Sequence, residues 1–134
     1  MPSYSILGNF YWFTSPNSVD LKPLECKQLD LLKNKKIMFV SIDLCLVPIG
    51  VGTSLSPYIK ECIEIIKNEG LNYELGANGT AIEGDWDKVF ECVKKCHEKI
   101  HSKGAPRIYT TMKVNTRTDK EQKFSDKVRS VLEK

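Results

Sequence analysis

The sequence lacks the features that direct a chain into or across a membrane. No apolar run approaches the ~20 residues needed to span a bilayer. The first 15 residues contain no Lys or Arg, so the positively charged start of a signal peptide is missing. Residues 1–37 contain acidic side chains and no Arg, which argues against a mitochondrial presequence. We therefore expect a cytoplasmic protein without a membrane partner.

The sequence also lacks a strong excess of one charge sign and an obvious disulfide framework. It has 20 basic and 17 acidic residues, a net charge of +3, and most of that excess falls in residues 1–37. The nearly neutral remainder does not supply the clustered cations that bind phosphate backbones, so no nucleic-acid partner is expected. The five cysteines are odd in number, and three of them fall in predicted helices, which favours reduced thiols.

The 134 residues that are present suffice for one compact domain. The sequence changes character near Ile37, because an aromatic-rich stretch and a mixed-charge segment precede it and regular periodic patterns follow. We predict that residues 1–37 are an N-terminal extension, either appended to the domain or translated only in an over-long gene model. A terminal arm that packs on the body is the alternative. Residues 38–134 form the predicted domain.

Apolar periodicity predicts four strands and three helices in residues 38–134. Alternating residues mark half-buried strands, and caps, glycines and prolines mark the helix ends. The predicted elements are strands at 40–47, 71–75, 80–83 and 107–115, and helices at 56–70, 85–104 and from the capping box at 118–121. Pro48 is expected to end the first strand. The order βαββαβ plus a C-terminal helix predicts an α+β, ferredoxin-like sandwich with one open sheet face.

A hairpin is predicted between the second and third of these strands. The turn dipeptide Asn78-Gly79 is a strong indicator of a two-residue hairpin turn. That turn would pair Leu75 with Ile82 in the core and Glu74 with Glu83 on the open face. Two carboxylates directly opposite each other repel, at a cost of up to ~1 kcal/mol.

Asp43 would add a third carboxylate to this open face from the neighbouring central strand. A small cationic or hydrogen-bonding ligand would relieve the repulsion, so the open face is predicted to bind one. Two alternatives stay open from the residues alone. The face could be a solvated acidic patch paired with Lys113, or it could be a subunit interface.

Other chemical arrangements in the sequence are incomplete. His97 and His101 have a helical spacing that can bind zinc, but no third ligand is fixed beside them, so we predict no metal site. The loop at 50–54 could receive an anion at a helix start, but it lacks the lysine of a phosphate loop. No Cys–His pair has the orienting group that nucleophilic catalysis needs, and we predict a protein that is not an enzyme.

Several motifs resemble the thiamine-binding protein family, small ferredoxin-like proteins long described as an uncharacterised family. The motifs are SIDLCLVPIG at 41–50, GTS at 52–54, GTAIEGDWD at 79–87, CHE at 96–98, HSKGAPR at 101–107, TRTDK at 116–120 and DKV at 126–128. The resemblance covers residues 38–134 and does not reach residues 1–37. The chain departs from it at Ala81, where the family commonly has a second threonine.

The resemblance implies a non-enzymatic carrier or sensor that binds thiamine or a related pyrimidine, with no other cofactor, as a homo-oligomeric dimer or tetramer. Carboxylates and hydroxyls suit the thiazolium cation and the aminopyrimidine, and Tyr109 could face the cation. The predicted ligand-binding residues are the acidic anchors Asp43 and Glu83, the orienting residues Asn78, Thr80 and Thr111, and the loop residues Thr53 and Ser54. The alternative functions are an oligomeric regulatory or scaffolding module, whose open face is only a subunit interface, and an enzyme of thiamine metabolism.

Overall fold

A computed structural model of the chain describes residues 3–7, 10–14 and 36–134. The chain divides into two compact units, 1–36 and 37–134. In the first unit, strands β1 (Ser3–Leu7) and β2 (Phe10–Thr14) form an antiparallel hairpin that the aromatic-rich sequence did not predict. The rest of the predicted N-terminal extension, including Cys26, lies outside the described residues. The assignment of 1–37 as an extension and 38–134 as a domain stays a prediction.

The second unit is an α+β, ferredoxin-like sandwich, as predicted. Its elements are β3 (Phe39–Ile49), α1 (Ser56–Asn68), β4 (Asn72–Leu75), β5 (Thr80–Asp85), α2 (Trp86–Ser102), β6 (Arg107–Thr116) and α3 (Phe124–Leu132). The antiparallel sheet has the order β4-β5-β3-β6, which places β3 and β5 in its centre. No helix in the described part of the chain is both long and apolar enough to cross a membrane.

The core lies between the sheet and helices α1 and α2. Because side chains alternate along a strand, β3 directs one apolar set to this helix-covered face and Asp43 and Cys45 to the opposite, open face. α2 supplies the largest share of the helical core. The buried apolar residues are Val40, Ile42, Leu44, Leu46, Cys62, Ile66, Ile82, Val89, Cys92, Val93, Cys96, Ile100 and Ala105. The cysteines that were predicted to lie in helices therefore act as small core residues.

The predicted end of β3 and the predicted start of α1 are wrong. Pro48 does not end β3 but pairs with Ile108 of β6. β5 pairs with β3 only as far as Leu44, so one edge of β3 has no neighbouring strand at Pro48. Proline lacks an N–H, and on that edge the missing N–H costs no hydrogen bond between strands. The sequence favours Ser56 as the N-cap residue of the first helix, but Leu55 occupies that position, so α1 begins one residue earlier than predicted.

The predicted capping box at residues 118–121 does not start α3. The Asp119 carboxylate accepts from Nη2 of Arg117 at 2.7 Å, so it holds a turn before the helix. The helix begins at Phe124, where the Asp126 carboxylate accepts from the N–H of Lys123 at 3.0 Å. A capping box therefore exists, but it lies several residues further along the chain.

The predicted register of the β4–β5 hairpin is also wrong. The N–H of Gly76 donates to the carbonyl oxygen of Gly79 at 2.8 Å, so the turn centres on residues 77 and 78. Leu75 pairs with Thr80, and Glu83 pairs with Asn72 rather than with Glu74. Each strand keeps its predicted face, because the shift is by two residues. The two glutamates are therefore diagonal neighbours on the open face and not directly opposed.

Candidate functional site

Two concave surfaces flank the tip of the β4–β5 hairpin, one on each face of the sheet. On the helix-covered side, α2 packs against β3, β5 and β6, whereas α1 packs mainly against α2. A space therefore remains between α1 and the hairpin, and we call it the hairpin cavity. It has a volume of about 800 Å³, which lies in the range of small-molecule sites.

The hairpin cavity has an apolar wall that the sequence assigned to the core. Ile59 and Ile63 of α1 are only partly buried, although they belong to the predicted apolar stripe of the helix. Leu75, also predicted in the core, is 57% exposed and lies on the opposite wall. These side chains are exposed because α1 stands away from the hairpin. Apolar residues in the core and apolar residues in a cavity wall have the same periodicity, so the sequence alone does not distinguish them.

Thr80 supplies the most informative polar group in the hairpin cavity. The residue is only 7% exposed and lines the cavity. Among the residues that the structure describes, none forms a hydrogen bond with its hydroxyl. Such a buried, unpaired hydroxyl costs about 1–3 kcal/mol, and a ligand in the cavity would supply the missing partner. Asn78 and Thr53, both exposed, line the same cavity.

Charged residues of α1 complete the lining of the hairpin cavity. Lys60, Glu64 and Lys67 occur there with helical spacing. In the described part of the chain, neither lysine forms an ion pair. None of these charged residues was predicted as a site residue, because lysines on a helix usually belong to a solvated face.

The second concave surface, the open-face pocket, has a volume of about 400 Å³. It is lined by Asp43, Cys45, Gly76, Asn78, Gly79, Thr111 and Lys113. Asp43 lies close to Gly79, because a Cβ at that position would be 2.6 Å from the Oδ1 atom of Asp43. Lys113 is the cross-strand neighbour of Asp43, yet no ion pair joins the two in the described structure.

The predicted ligand-binding residues therefore separate between the two faces of the sheet. Asp43 and Thr111 line the open-face pocket, Thr53 and Thr80 line the hairpin cavity, and Asn78 at the hairpin tip lines both. Exposed Ser54 and Tyr109 line neither. Strand alternation places Thr80 on the same face of the sheet as Ile82 and places Glu83 on the opposite face. The alternation in the sequence therefore already indicates that Thr80 and Glu83 do not share a site.

Glu83 is buried and fully engaged by protein groups. Its side chain is 2% exposed and lines neither concave surface. Asn72 donates from Nδ2 to Oε1 at 2.6 Å, and the N–H of Phe124 donates to Oε2 at 2.7 Å. The carboxylate therefore fixes the first turn of α3 to the open face at the outer strand pair, next to the positive end of the helix dipole.

The histidines of α2 have structural partners. Nε2 of His97 is 2.8 Å from Oγ1 of Thr110, and Nδ1–H of His101 donates to the carbonyl oxygen of Ala105 at 2.8 Å. Burial, with a smaller contribution from the charge of His101, lowers the pKa of His97. The described residues contain no group of three or more potential metal ligands.

The buried thiols lie together between α1 and α2. The Sγ atom of Cys96 donates to the carbonyl oxygen of Cys62 at 3.9 Å. A hydrogen bond with Cys62 raises the pKa of the Cys96 thiol to about 12, and a hydrogen bond with Cys96 together with burial raises that of Cys92. Cys92 and Cys96 are therefore protonated near neutral pH and are poor nucleophiles.

Comparison with known sequences places residues 42–132 in a match to a family model described as thiamine-binding protein. A UPF0045 protein from Synechocystis sp. is 50% identical over 96 residues, which cover 72% of this chain and 79% of that protein. Another from Methanothermobacter thermautotrophicus is 38% identical over 97 residues, covering 71% and 98% of the two chains. The names of these two relatives state neither a ligand nor a reaction.

Comparison with solved structures gives the same fold. A hypothetical protein from Methanocaldococcus jannaschii matches with a TM-score of 0.67 at 31% identity, over 72% of this chain and 99% of that one. A Thermotoga maritima protein, provisionally assigned to thiamine biosynthesis or salvage, matches with a TM-score of 0.60 at 22% identity, over 69% and 98%. The second likeness concerns the fold alone.

Proposed function

The chain belongs to the thiamine-binding protein family, and from this premise we propose that its hairpin cavity binds thiamine or a related pyrimidine without catalysing a reaction on it. The observation that supports this most is the hydroxyl of Thr80, which is buried at the cavity wall with no partner among the described residues. A buried hydroxyl that lacks a hydrogen bond in the free protein gains one when a polar ligand enters.

The chemistry of an aminopyrimidine fits this lining. Its ring nitrogens accept and its amine donates, and a threonine hydroxyl or an asparagine amide can serve either role. Thr80 and Asn78 both lie at the hairpin end of the cavity. The flat ring would lie between Leu75 and the α1 residues Ile59 and Ile63, where it would cover apolar surface that is exposed in the free protein.

The departure from the family pattern at Ala81 agrees with this location. Ala81 pairs with Asp43 of β3, so its side chain belongs to the open face, on the opposite side of the sheet from Thr80. A ligand in the hairpin cavity does not need a hydroxyl at that position.

The open-face pocket is a second candidate for the same ligand. Asp43 lines it without an ion pair in the described structure, and a carboxylate there could balance the thiazolium charge. Thr111 would contribute a hydroxyl from β6. The hairpin cavity is the stronger candidate, because both of these open-face groups are exposed, whereas Thr80 is buried.

Two matched substitutions distinguish the two locations. Thr80→Val and Thr111→Val each replace a hydroxyl by a methyl group of the same shape, one in each concave surface. We expect isothermal titration with thiamine to give an affinity about three- to tenfold weaker for Thr80→Val and an unchanged affinity for Thr111→Val. The reverse pattern would move the site to the open face, and a wild-type protein that binds neither thiamine nor a related pyrimidine would refute the proposed function.

Assembly into a homo-oligomer is the second part of the proposal. Val128, Val131 and Leu132 of α3 are 56%, 74% and 77% exposed, and they form one apolar stripe on the helix. Tyr109 of β6 is also exposed, on the open face of the sheet. A second copy of the chain would cover such surface. The alternative function, a regulatory or scaffolding module, uses this surface alone and leaves the hairpin cavity without a ligand.

A further inference from the structure

The charge around the hairpin cavity gives information about its ligand beyond the pyrimidine. Lys60 and Lys67 line the cavity with Glu64 between them, which leaves one net positive charge. The other acidic residues of α1 are engaged elsewhere. Glu61 forms ion pairs with Lys99 of α2 and with Lys103 directly after α2, and Glu69, directly after α1, forms one with Lys95 of α2. In the described structure these carboxylates form their ion pairs with lysines other than Lys60 and Lys67.

The start of α1 adds to this positive potential. Thr53, Leu55 and Ser56 line the cavity at the point where the 13-residue helix begins. No side chain caps this helix end, and Lys60 follows one turn later on the cavity side. Pro57 has no N–H, and the N–H groups of Tyr58 and Ile59 donate to the carbonyl oxygen of Leu55. The anion would therefore be held by the helix dipole and by the ammonium group of Lys60, which forms no ion pair in the described structure. The buried hydroxyl of Thr80 marks the same cavity independently as a site for a polar ligand.

This positive lining conflicts with an unmodified thiamine as the preferred ligand. The thiazolium ring is a cation, and in a cavity of net positive charge it would be repelled. A phosphate ester of the same molecule has an anionic group that Lys60 and the first turn of α1 could bind. Charge-assisted hydrogen bonds of this kind are roughly twice as strong as neutral ones.

We infer that the hairpin cavity selects a phosphate ester, such as a thiamine or pyrimidine phosphate, over the unphosphorylated molecule. The phosphate group lies at the start of α1 beside Lys60, and the pyrimidine lies at the hairpin beside Thr80. This inference rests on the proposed function, because it takes the hairpin cavity as the ligand site. It adds a charged subsite at the opposite end of the same cavity.

Titration of thiamine and thiamine monophosphate into the full chain tests the inference. We expect the wild-type protein to bind the monophosphate about tenfold or more tightly at low salt, with a preference that falls as ionic strength rises. Lys60→Gln should reduce the preference to about twofold or less while thiamine itself still binds, which also shows that the variant is folded. Lys88→Gln is the matched control, because Lys88 is exposed on α2 and lines neither concave surface.

The outcomes separate the inference from the proposed function. Equal affinities for the two molecules in the wild-type protein would overturn the phosphate subsite and leave thiamine binding intact. A preference that survives in Lys60→Gln but is lost in Lys67→Gln would also overturn it, because the anion would then lie at the other end of α1. If neither molecule binds the wild-type protein, the proposed function itself fails.

Discussion

At the scale of single residues, Thr80 and Glu83 show how two polar side chains on one strand have opposite roles. Both are nearly completely buried. Glu83 receives two hydrogen bonds from protein donors, whereas the hydroxyl of Thr80 has none from the described residues. A satisfied buried group stabilises the fold, and an unsatisfied one reduces stability until a ligand binds.

Replacing Glu83 should destabilise the protein without affecting the hairpin cavity. In Glu83→Gln the side chain keeps one acceptor oxygen, so either Asn72 or the N–H of Phe124 loses its partner. We expect the free energy of unfolding in urea to fall by about 1–3 kcal/mol, with the affinity for thiamine unchanged. Glu83 was predicted from the sequence as an acidic ligand anchor, and a large loss of affinity in a stably folded variant would support that earlier role instead.

Glu74→Gln is the matched control for this measurement. Glu74 lies on the same face as Glu83, but it is exposed and forms no hydrogen bond in the described structure. Its replacement should change the free energy of unfolding by less than about 0.5 kcal/mol. Equal losses in both variants would mean that the contacts of Glu83 with Asn72 and Phe124 contribute nothing specific.

Strand alternation was enough to predict the face of each of these residues, but it could not predict their partners. Thr80 and Ile82 share one face and Glu83 the other, as the period of two requires. The pairing register of β4 and β5 depends on which two residues form the hydrogen bond across the hairpin turn. Asn78-Gly79 is a common turn dipeptide, yet Gly76 and Gly79 pair here, and Asp43 packs directly over Gly79. That contact comes from another strand, so local sequence does not indicate it.

At the scale of secondary-structure elements, the position of α1 relative to α2 creates the hairpin cavity. Both helices have an apolar stripe, and the sequence predicted both as core helices. Ion pairs from Glu61 and Glu69 join α1 to the α2 region, and Ile59 and Ile63 lie partly exposed beside the hairpin. The periodicity of the sequence indicates which side of α1 is apolar, but not how far α1 lies from the sheet. The cavity therefore could not be predicted.

The contact between α2 and β6 should make stability depend on pH. Folding lowers the pKa of His97 below its ordinary value of 6.5, so the unfolded chain binds a proton more readily than the folded one. Stability is therefore greatest above that ordinary value and falls as the pH decreases through it. We expect urea unfolding at pH 5 to 7.5 to show this loss, and His97→Gln to reduce it.

His101→Gln is the control for the pH dependence. His101 is exposed on the same helix, and its charge is only the secondary cause of the lowered pKa of His97. Most of the pH dependence should persist in this variant. An identical pH profile for the wild-type protein and His97→Gln would contradict the assignment to His97.

At the scale of the whole molecule, the fold and the family could be predicted from the sequence, whereas the ligand location could not. The order of strands and helices is enough to indicate a ferredoxin-like sandwich, because few topologies satisfy the rules of strand connection. The predicted site combined residues from both faces of the sheet. Asp43 and Thr53 are both polar residues near the hairpin, but the packed sheet separates them.

The exposed stripe of α3 leads to a prediction about assembly. Val131→Lys places a charge in the centre of this stripe, and we expect it to shift the sedimenting species to a smaller size at micromolar concentration. Ser130→Lys adds the same charge to an exposed position of α3 outside the stripe and should leave the assembly unchanged. A wild-type protein that sediments as a monomer would contradict the proposed oligomer.

The central claim is that a ligand satisfies the buried hydroxyl of Thr80 in the hairpin cavity. The most direct test measures, for the wild-type protein and Thr80→Val, both the affinity for thiamine and the free energy of unfolding without ligand. We predict a weaker affinity together with unchanged or higher stability, by up to about 1–3 kcal/mol, since the substitution removes an unpaired hydroxyl. Unchanged affinity in Thr80→Val, or a loss of affinity accompanied by lower stability, would contradict the account.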